Sequence, residues 1–216
     1  IPSLSEISND TSEKVKDQYE QNPYPRWIQV SAVNNSISIS EYVARTNLRV
    51  PEEKILTIEL PDILIAGCGT GQQAIEAAFL YQHREILAID LSLASLSYAL
   101  RKTEEFNLKS IRYMQADILN LRKLDQKFDL IECAGVLHHM ENPMVGWKIL
   151  TERLKPGGLM MIGLYSDLAR QHIVRVRQEI LQHGVNPAHS EMIAFRDNLI
   201  ASSEPHHRKL ILAPDF

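Results

Sequence analysis

Three glycines alternate in Gly67-Cys-Gly-Thr-Gly71, and an acid, Asp90, follows 19 residues after the last of them. A second acid, Asp117, sits between Ala116 and Ile118, and two histidines adjoin at His138 and His139. Alternate glycines let a backbone turn sharply and let a ligand approach without meeting a Cβ. The free N–H groups of a helix that follows favour polar or anionic ligand groups. An acid at the tip of the next strand, at about this spacing, suits a pair of ribose hydroxyls. The Asp117 carboxylate can accept from an exocyclic amine while the N–H of Ile118 reaches a ring nitrogen, so the two can read an adenine edge. Histidine titrates near neutral pH and is the side chain best suited to act as a general base. Each residue also has a plainer reading. A glycine triplet arises in loops by chance, Asp90 and Ser92 can cap a helix, Asp117 can be a turn residue, and the histidines can simply hold their loop.

The elements that must position these groups are legible around them. Ile63 to Ala66 is a short apolar run, as expected of a strand buried on both faces, and Gln72 to Tyr81 has helix-forming composition with Ala74, Ile75, Ala77 and Ala78 available for packing. Strand, glycine turn and helix then place a nucleotide-type cofactor at the carboxyl end of a parallel strand. Gln72 stands where the dinucleotide fingerprint has its third glycine, so the spacing is G-x-G-x-G and not G-x-G-x-x-G. Ile86 to Ile89 repeats the buried-strand pattern and ends at Asp90. A helical stripe of Leu93, Leu96, Ala99 and Leu100 follows between Ser92 and Phe106. A third strand ends just before Asp117, and Phe128 to Cys133 is a fourth. Asn142 and Pro143 are placed as N-cap and first residue of the next helix, with Val145, Ile149 and Leu150 packing on the sheet. Lys155-Pro-Gly-Gly158 reads as a turn and Leu159 to Tyr165 as the fifth strand.

Taken in order, Ile63 to Gly71, the run ending Ala88-Ile-Asp-Leu-Ser92, Gln115-Ala-Asp-Ile118, Phe128 to Cys133, Val136-Leu-His-His-Met140 and Leu154-Lys-Pro-Gly-Gly158 resemble the successive motifs of class I S-adenosylmethionine-dependent methyltransferases. The resemblance covers about residues 61–165. It implies an α/β, Rossmann-like fold with a mostly parallel sheet, helices on both faces and an N-terminal helical cap. It also implies S-adenosylmethionine as cofactor and S-adenosylhomocysteine as product. Carried onto this sequence, it assigns cofactor contacts to Tyr19, Gly67, Cys68, Gly69, Thr70, Gly71, Asp90, Leu91, Asp117, Ile118 and Cys133. His138 and His139 become the candidate catalytic residues, and no metal is expected, because adjacent histidines point in different directions. The expected divisions are a cap or lid over 1–50, a cofactor-binding core over 51–165 and a helical segment over 166–216.

Near the start, Asp10 or Thr11 can cap a helix running to about Gln21, with Glu13 placed for a capping box to Asp10. Residues 1–9 read as loose. Asn22-Pro-Tyr-Pro-Arg-Trp27 then holds Tyr19, Tyr24, Arg26 and Trp27 in a rigid aromatic cluster, either a clamp on the domain surface or a lid over the site. Gln18 to Trp27, together with Ile162 to Arg170, resembles the methyltransferase part of bacterial proteins that join tetratricopeptide repeats to such a domain. On that resemblance the repeats lie upstream of Ile1 or this member lacks them, and a chain that opens on Ile1 instead of Met reads as a piece of something longer. A cap helix is expected over 36–48, with Ser38 or Ser40 as N-cap and Ile39, Tyr42, Val43 and Leu48 packing. Ser166 to His183, stopped by Gly184, and Ser190 to Ser202 read as helices, and His206 and His207 as exposed polar residues. Only Lys209 to Ala213 offers a further strand, so the family's last strands are expected to be missing.

The chain has 216 residues, 44% of them hydrophobic, and a net charge of −4. That length suffices for a domain with a real core. No basic stripe calls for a nucleic-acid partner and no apolar run is long enough to span a bilayer. Cys68 and Cys133 lack metal-ligand spacing and read as reduced thiols of a cytoplasmic protein. Glu132-Cys-Ala-Gly135 stands where base-modifying methyltransferases carry an Asp-Pro-Pro-Tyr type segment, which argues against a nucleobase acceptor. The acceptor is then a small molecule or a protein. Two competitors are a cofactor-binding module with an interaction or regulatory role and no transfer activity, and a nicotinamide-dependent oxidoreductase. Gln72, Asp117 and the Leu154 to Gly158 turn count against the second.

Overall fold

The computed structural model describes residues 1–30, 35–46, 48, 58–186 and 189–213. The chain divides into two compact units, Ile1–Leu164 and Tyr165–Phe216.

The first unit is built on five parallel strands, β1 (Asp62–Ala66), β2 (Glu85–Asp90), β3 (Ile111–Gln115), β4 (Phe128–Ala134) and β5 (Leu154–Gly163), in the spatial order β3-β2-β1-β4-β5. Successive side chains of a strand face opposite sides. Ile63 and Ile65 therefore join one core with Ala74, Ala77, Leu96 and Ala99, while Leu64 and Ala66 join another with Ile131, Ile149 and Leu150. Helices α3 (Gln72–Leu80) and α4 (Leu93–Glu105) supply the first core, as does the short α2 (Ile39–Ala44); α5 (Pro143–Arg153) and a 3-10 turn at Ile118–Lys123 supply the second. Burial on both faces explains the unbroken apolar runs. The order of strands reverses between β1 and β4, and open α/β sheets hold their ligands outside the carboxyl ends of the strands at such a point.

Several local expectations are met at the level of single hydrogen bonds. Asn142 accepts from the Met144 N–H at 3.0 Å with Pro143 at the first helical position, and Ser92 accepts from the Ser95 N–H at 3.0 Å. Ser38 caps α2. Others are corrected. The cap of α1 (Asp10–Gln21) is Asn9, whose side chain accepts from Ser12, and not Asp10 or Thr11. The segment before it is paired with the sheet: Leu4 donates to the Gln115 carbonyl and Gln115 to the Pro2 carbonyl, both at 2.9 Å, and Ile7 is buried. The cap helix is shorter than 36–48, and Leu48 is exposed. Val145, Leu93 and Leu100 also face outward, so α4 packs through Leu96, Ala99 and Thr103.

Residues 155–158 are not a separate turn. They lie within β5, where pairing jumps from Phe128–Leu154 to Leu130–Leu159. The extra residues leave Lys155 at the amino-terminal ends of β1 and β4, where its Nζ lies 2.7 Å from Asp62 and 2.8 Å from Asp129. A cation between two largely buried carboxylates offsets their repulsion, so Lys155 has an electrostatic reason to leave the ladder.

The second unit contains α6 (Gln171–His183), α7 (His189–Ala201) and α8 (Pro205–Ile211). Gly184 ends α6 in the left-handed conformation, as expected of a C-terminal stop. Lys209 to Ala213 is not a strand: Pro205 begins a helix at its first turn, and residues 209–211 continue it.

Candidate active site

The glycine turn is held open by backbone geometry and walled by neighbours. Gly67, Gly69 and Gly71 have φ of 78°, 51° and 86°. A Cβ on Gly69 would lie 2.3 Å from the Tyr24 carbonyl oxygen, and one on Gly71 2.5 Å from the Ala99 Cβ. Gly71 is the N-cap of α3 and has no side chain to bond the helix's first N–H groups.

Asp90, at the tip of β2, faces this turn. One carboxylate oxygen accepts from the Gly69 N–H at 2.8 Å and the other from the Ser92 N–H at 2.9 Å. The acid thus joins the glycine turn to the start of α4, and Ser92 is the N-cap. Desolvation raises the Asp90 carboxyl above its ordinary value, against the pull of these backbone donors, and the Glu20 charge adds to the rise.

Asp117 is buried at the N-cap of the 3-10 turn after β3. Its Oδ1 accepts from the Leu119 N–H at 2.9 Å, as a turn residue does, while its Oδ2 is buried with no hydrogen-bond partner among the described residues. A buried polar oxygen left so is costly. Gly67–Gly71, Asp90 and Asp117 thus stand beyond the carboxyl ends of three adjacent strands. Ile118 is buried beside Asp117, and the Leu91 carbonyl accepts from Gln115 Nε2 at 2.9 Å.

The N-terminal segment is fastened to the same turn. Trp27 Nε1 donates to Thr70 Oγ1 at 3.0 Å, Thr70 Oγ1 donates to the Pro25 carbonyl at 2.6 Å, and the Thr70 N–H donates to the Tyr24 carbonyl at 3.2 Å. The Tyr98 hydroxyl donates to the Trp27 carbonyl. Tyr19 Oη lies 3.2 Å from His139 Nε2, with the rings edge-on. His138 and His139 share a 3-10 turn after β4, and both ring nitrogens of His138 are buried. The Cys68 and Cys133 side chains are buried too; burial pushes the Cys133 thiol up to about 12 and raises that of Cys68 as well. Neither is a ready thiolate.

Two carboxylates in this region were given no role by the sequence reading. Glu20, on α1, accepts from the Leu93 and Ala94 N–H groups at 2.6 and 3.0 Å, so it occupies the N-terminus of α4 from another helix. Glu132, in the middle of β4 and paired in register with Ile65, is buried; it accepts from Gln73 Nε2 at 2.8 Å and from the Tyr81 hydroxyl at 3.1 Å.

Burial raises the Glu132 carboxyl; its two donors oppose the rise and the Glu76 charge adds to it. A raised folded-state acid contributes stability that is fully present below its unfolded value of 4.5 and is lost as pH rises through the folded value. Glu132→Gln removes that loss. The unfolding free energy of the variant relative to the parent, from urea titrations, is expected to climb from pH 4.5 upward and then level off, by about 1.4 kcal/mol for each tenfold change that burial makes in acidity. Parallel profiles in the two proteins would show that Glu132 does not titrate as described.

An open parallel sheet, a glycine turn and two acids at successive strand tips make up the frame on which open α/β sheets place their ligands. The family profile described as "Methyltransferase domain" matches residues 63–158. Among curated relatives, an uncharacterized protein of Synechococcus sp. is 36% identical over 121 residues, 56% of this chain and 29% of the relative. The ubiquinone biosynthesis O-methyltransferase of Coxiella burnetii is 32% identical over 107 residues, 49% of this chain and 44% of the relative. Among solved structures, PKMT2 from Rickettsia typhi aligns with a TM-score of 0.56 at 19% identity, over 79% of this chain and 33% of the other, and has also been solved in complex with AdoHcy. The 4+2 cyclase SpnF aligns with a TM-score of 0.51 at 23% identity, over 73% of this chain and 61% of the other. These structural likenesses speak for the fold. The chain spans between 29% and 56% of the length of the first curated relatives it matches. Residues 63–158 thus match a methyltransferase domain, on a sheet with the Rossmann-like strand order β3-β2-β1-β4-β5. No helix among the described residues is long and apolar enough to cross a membrane.

Proposed function

We propose that the chain binds S-adenosylmethionine across the carboxyl ends of β1, β2 and β3 and transfers its methyl group to a small-molecule or protein acceptor, leaving S-adenosylhomocysteine. The observation that carries this reading is the buried, unsatisfied Oδ2 of Asp117 in line with Asp90 and the glycine turn. In this reading Asp117 Oδ2 accepts from the exocyclic amine of adenine and the Ile118 N–H meets a ring nitrogen. Asp90 accepts from the ribose hydroxyls with the lone pairs that Gly69 and Ser92 leave over. Gly67–Gly71, with Cys68 and Thr70, lets the amino-acid end approach the backbone, and Leu91 lines the crevice, while Cys133 packs in the core.

When bound, the cofactor supplies an activated methyl group on a good leaving group. The protein's task is to align the acceptor, exclude water and, for a protonated acceptor, remove a proton. His139 is the candidate base, oriented by its contact with Tyr19; His138, with both ring nitrogens buried, holds the loop. The segment that clamps Thr70 acts as cap over the site.

The reading makes a specific demand on the base. S-inosylhomocysteine has a carbonyl oxygen where adenine has its amine, so it faces the Asp117 carboxylate with an acceptor. It is expected to bind about 10- to 100-fold more weakly than S-adenosylhomocysteine, the 1–3 kcal/mol of an unmatched buried polar group. In Asp117→Asn, whose amide can donate, the preference is expected to narrow. Equal affinities in the parent would remove Asp117 from adenine recognition. Transfer itself is tested with methyl-labelled S-adenosylmethionine and a bacterial extract split into small-molecule and protein fractions. Label is expected in one fraction only; none in either, with the cofactor still bound, would favour a binding module without transfer activity.

A further inference from the structure

The helical unit gathers three metal-ligating side chains. Glu179, on α6, presents both carboxylate oxygens to α8: His206 Nε2 lies 2.5 Å from Oε1, and His207 Nε2 2.6 Å from Oε2. The imidazole rings are 4.2 Å apart and tilted by 54°. One donor atom from each residue can be chosen such that all three lie within 4.8 Å of one another. Consecutive residues of a helix project in different directions, and these two converge only because Glu179 offers an oxygen to each. The sequence reading of both histidines as exposed is thereby corrected, since their side chains are only 14% and 13% exposed.

Two features prepare the group for more than an ion pair. His207 Nδ1 lies 2.7 Å from Ser202 Oγ, so the second ring nitrogen is held and Nε2 is directed at the cluster. Support of this kind on the non-ligating nitrogen is typical of metal-binding histidines. A cavity of about 450 Å3 also adjoins the cluster, lined by Glu179, His183, Glu191, Asn198 and His207 among others, so a ligand position on that side is open to solvent or a small molecule.

We propose that Glu179, His206 and His207 bind one divalent transition-metal ion, of which zinc fits the donor set best. Two imidazole nitrogens and one carboxylate oxygen are ordinary zinc ligands, and three protein ligands leave a fourth position free. Bonds of roughly 2.0–2.1 Å to a tetrahedral ion need donors roughly 3.3 Å apart. With one carboxylate oxygen as ligand, its short contact of 2.5 or 2.6 Å to one Nε2 opens by less than an ångström, and the other donor pairs, all within 4.8 Å, close toward the same spacing. Binding requires each Nε2 to be free of a proton, so a neutral imidazole that carries its proton there moves it to Nδ1 by exchange with solvent, and an imidazolium releases one proton into solvent. The inference does not depend on the methyl-transfer reading and departs from the expectation that the chain holds no metal.

The test is equilibrium dialysis of the whole chain against zinc, followed by metal analysis, and a parallel titration with cobalt(II), whose visible spectrum reports a tetrahedral nitrogen and oxygen site. One zinc per chain is expected, with cobalt bands of tetrahedral intensity. His206→Ala with His207→Ala is expected to weaken zinc binding by about 100-fold or more. Because that double variant removes two packed side chains, His207→Gln, which can still donate to Glu179, is measured as well, with circular dichroism to check the helices. It is expected to lose zinc while keeping its helicity. Uptake no greater than that of a folded His207→Gln, or cobalt spectra typical of an octahedral aquo ion, would overturn the proposal and leave the cluster as a hydrogen-bonded tie between α6 and α8.

Discussion

Asp90→Ala is expected to weaken S-adenosylhomocysteine binding by about 1,000-fold, close to 4 kcal/mol. The size follows from two losses. Hydrogen bonds to an ionised acceptor contribute about 1.5–3 kcal/mol each, and in the proposed complex Asp90 receives the ribose hydroxyls. The same carboxylate holds the Gly69 N–H at 2.8 Å, so its removal also loosens the turn against which the amino-acid end of the cofactor lies. Asp90→Asn keeps one acceptor oxygen and is expected to fall between the two. Trp27, bonded to Thr70 inside the turn, provides a fluorescence readout for the titration. An Asp90→Ala protein that is folded and binds as tightly as the parent would mean that Asp90 serves only to tie β2 to α4.

Gly71→Ala is expected to destabilise the fold by about 2–5 kcal/mol, the sum of left-handed backbone strain and overpacking. Its φ is +86°, and the new Cβ would lie 2.5 Å from the Ala99 Cβ and 3.0 Å from the Ala99 Cα, a backbone atom that cannot give way. Gly135→Ala separates the two causes. Gly135 also has a positive φ, 74°, but nothing lies within 4 Å of its missing Cβ. Only the strain remains there, about 1–2 kcal/mol. Urea midpoints of the two variants measure the difference. Equal midpoints would show that Ala99 yields and that α4 is not held tightly against the turn.

The parts of the fold that were legible in the sequence are those in which a local pattern and the tertiary environment agree. Ile63 to Ala66 and Ile86 to Ile89 are apolar throughout because helices cover both faces of the sheet. Asn142-Pro143 is a helix start that needs nothing beyond its own neighbours. What was not legible depends on partners far along the chain. Ser3 and Leu4 read as loose, yet they lie against Gln115 at the edge of the sheet. Glu132 breaks a buried strand with a charge, and its donors, Gln73 and Tyr81, come from the opposite end of the core motif. The apolar run Leu210-Ile-Leu-Ala213 suggested a strand, but the proline that starts α8 and the helical register it sets decided otherwise.

The candidate site shows the same division. The glycine turn, Asp90 and Asp117 were visible as residue types at a spacing, and the structure gives both acids the plain structural role that their types also allow. Asp90 braces the turn, and Asp117 caps with one oxygen and leaves the other without a donor among the described residues. The clamp of Trp27 on Thr70 and the hydrogen bond between Tyr19 and His139 join residues that sequence order keeps far apart. No local pattern carries such contacts.

Calorimetric titration of the chain with S-adenosylmethionine, S-adenosylhomocysteine and NAD tests the central claim most directly. The account predicts that the first two bind at one site per chain with Kd values of roughly 1–100 μM, about −8 to −5.5 kcal/mol, and that NAD gives no saturable heat. A folded chain that binds neither S-adenosyl compound, or one that binds NAD in their place, would contradict it.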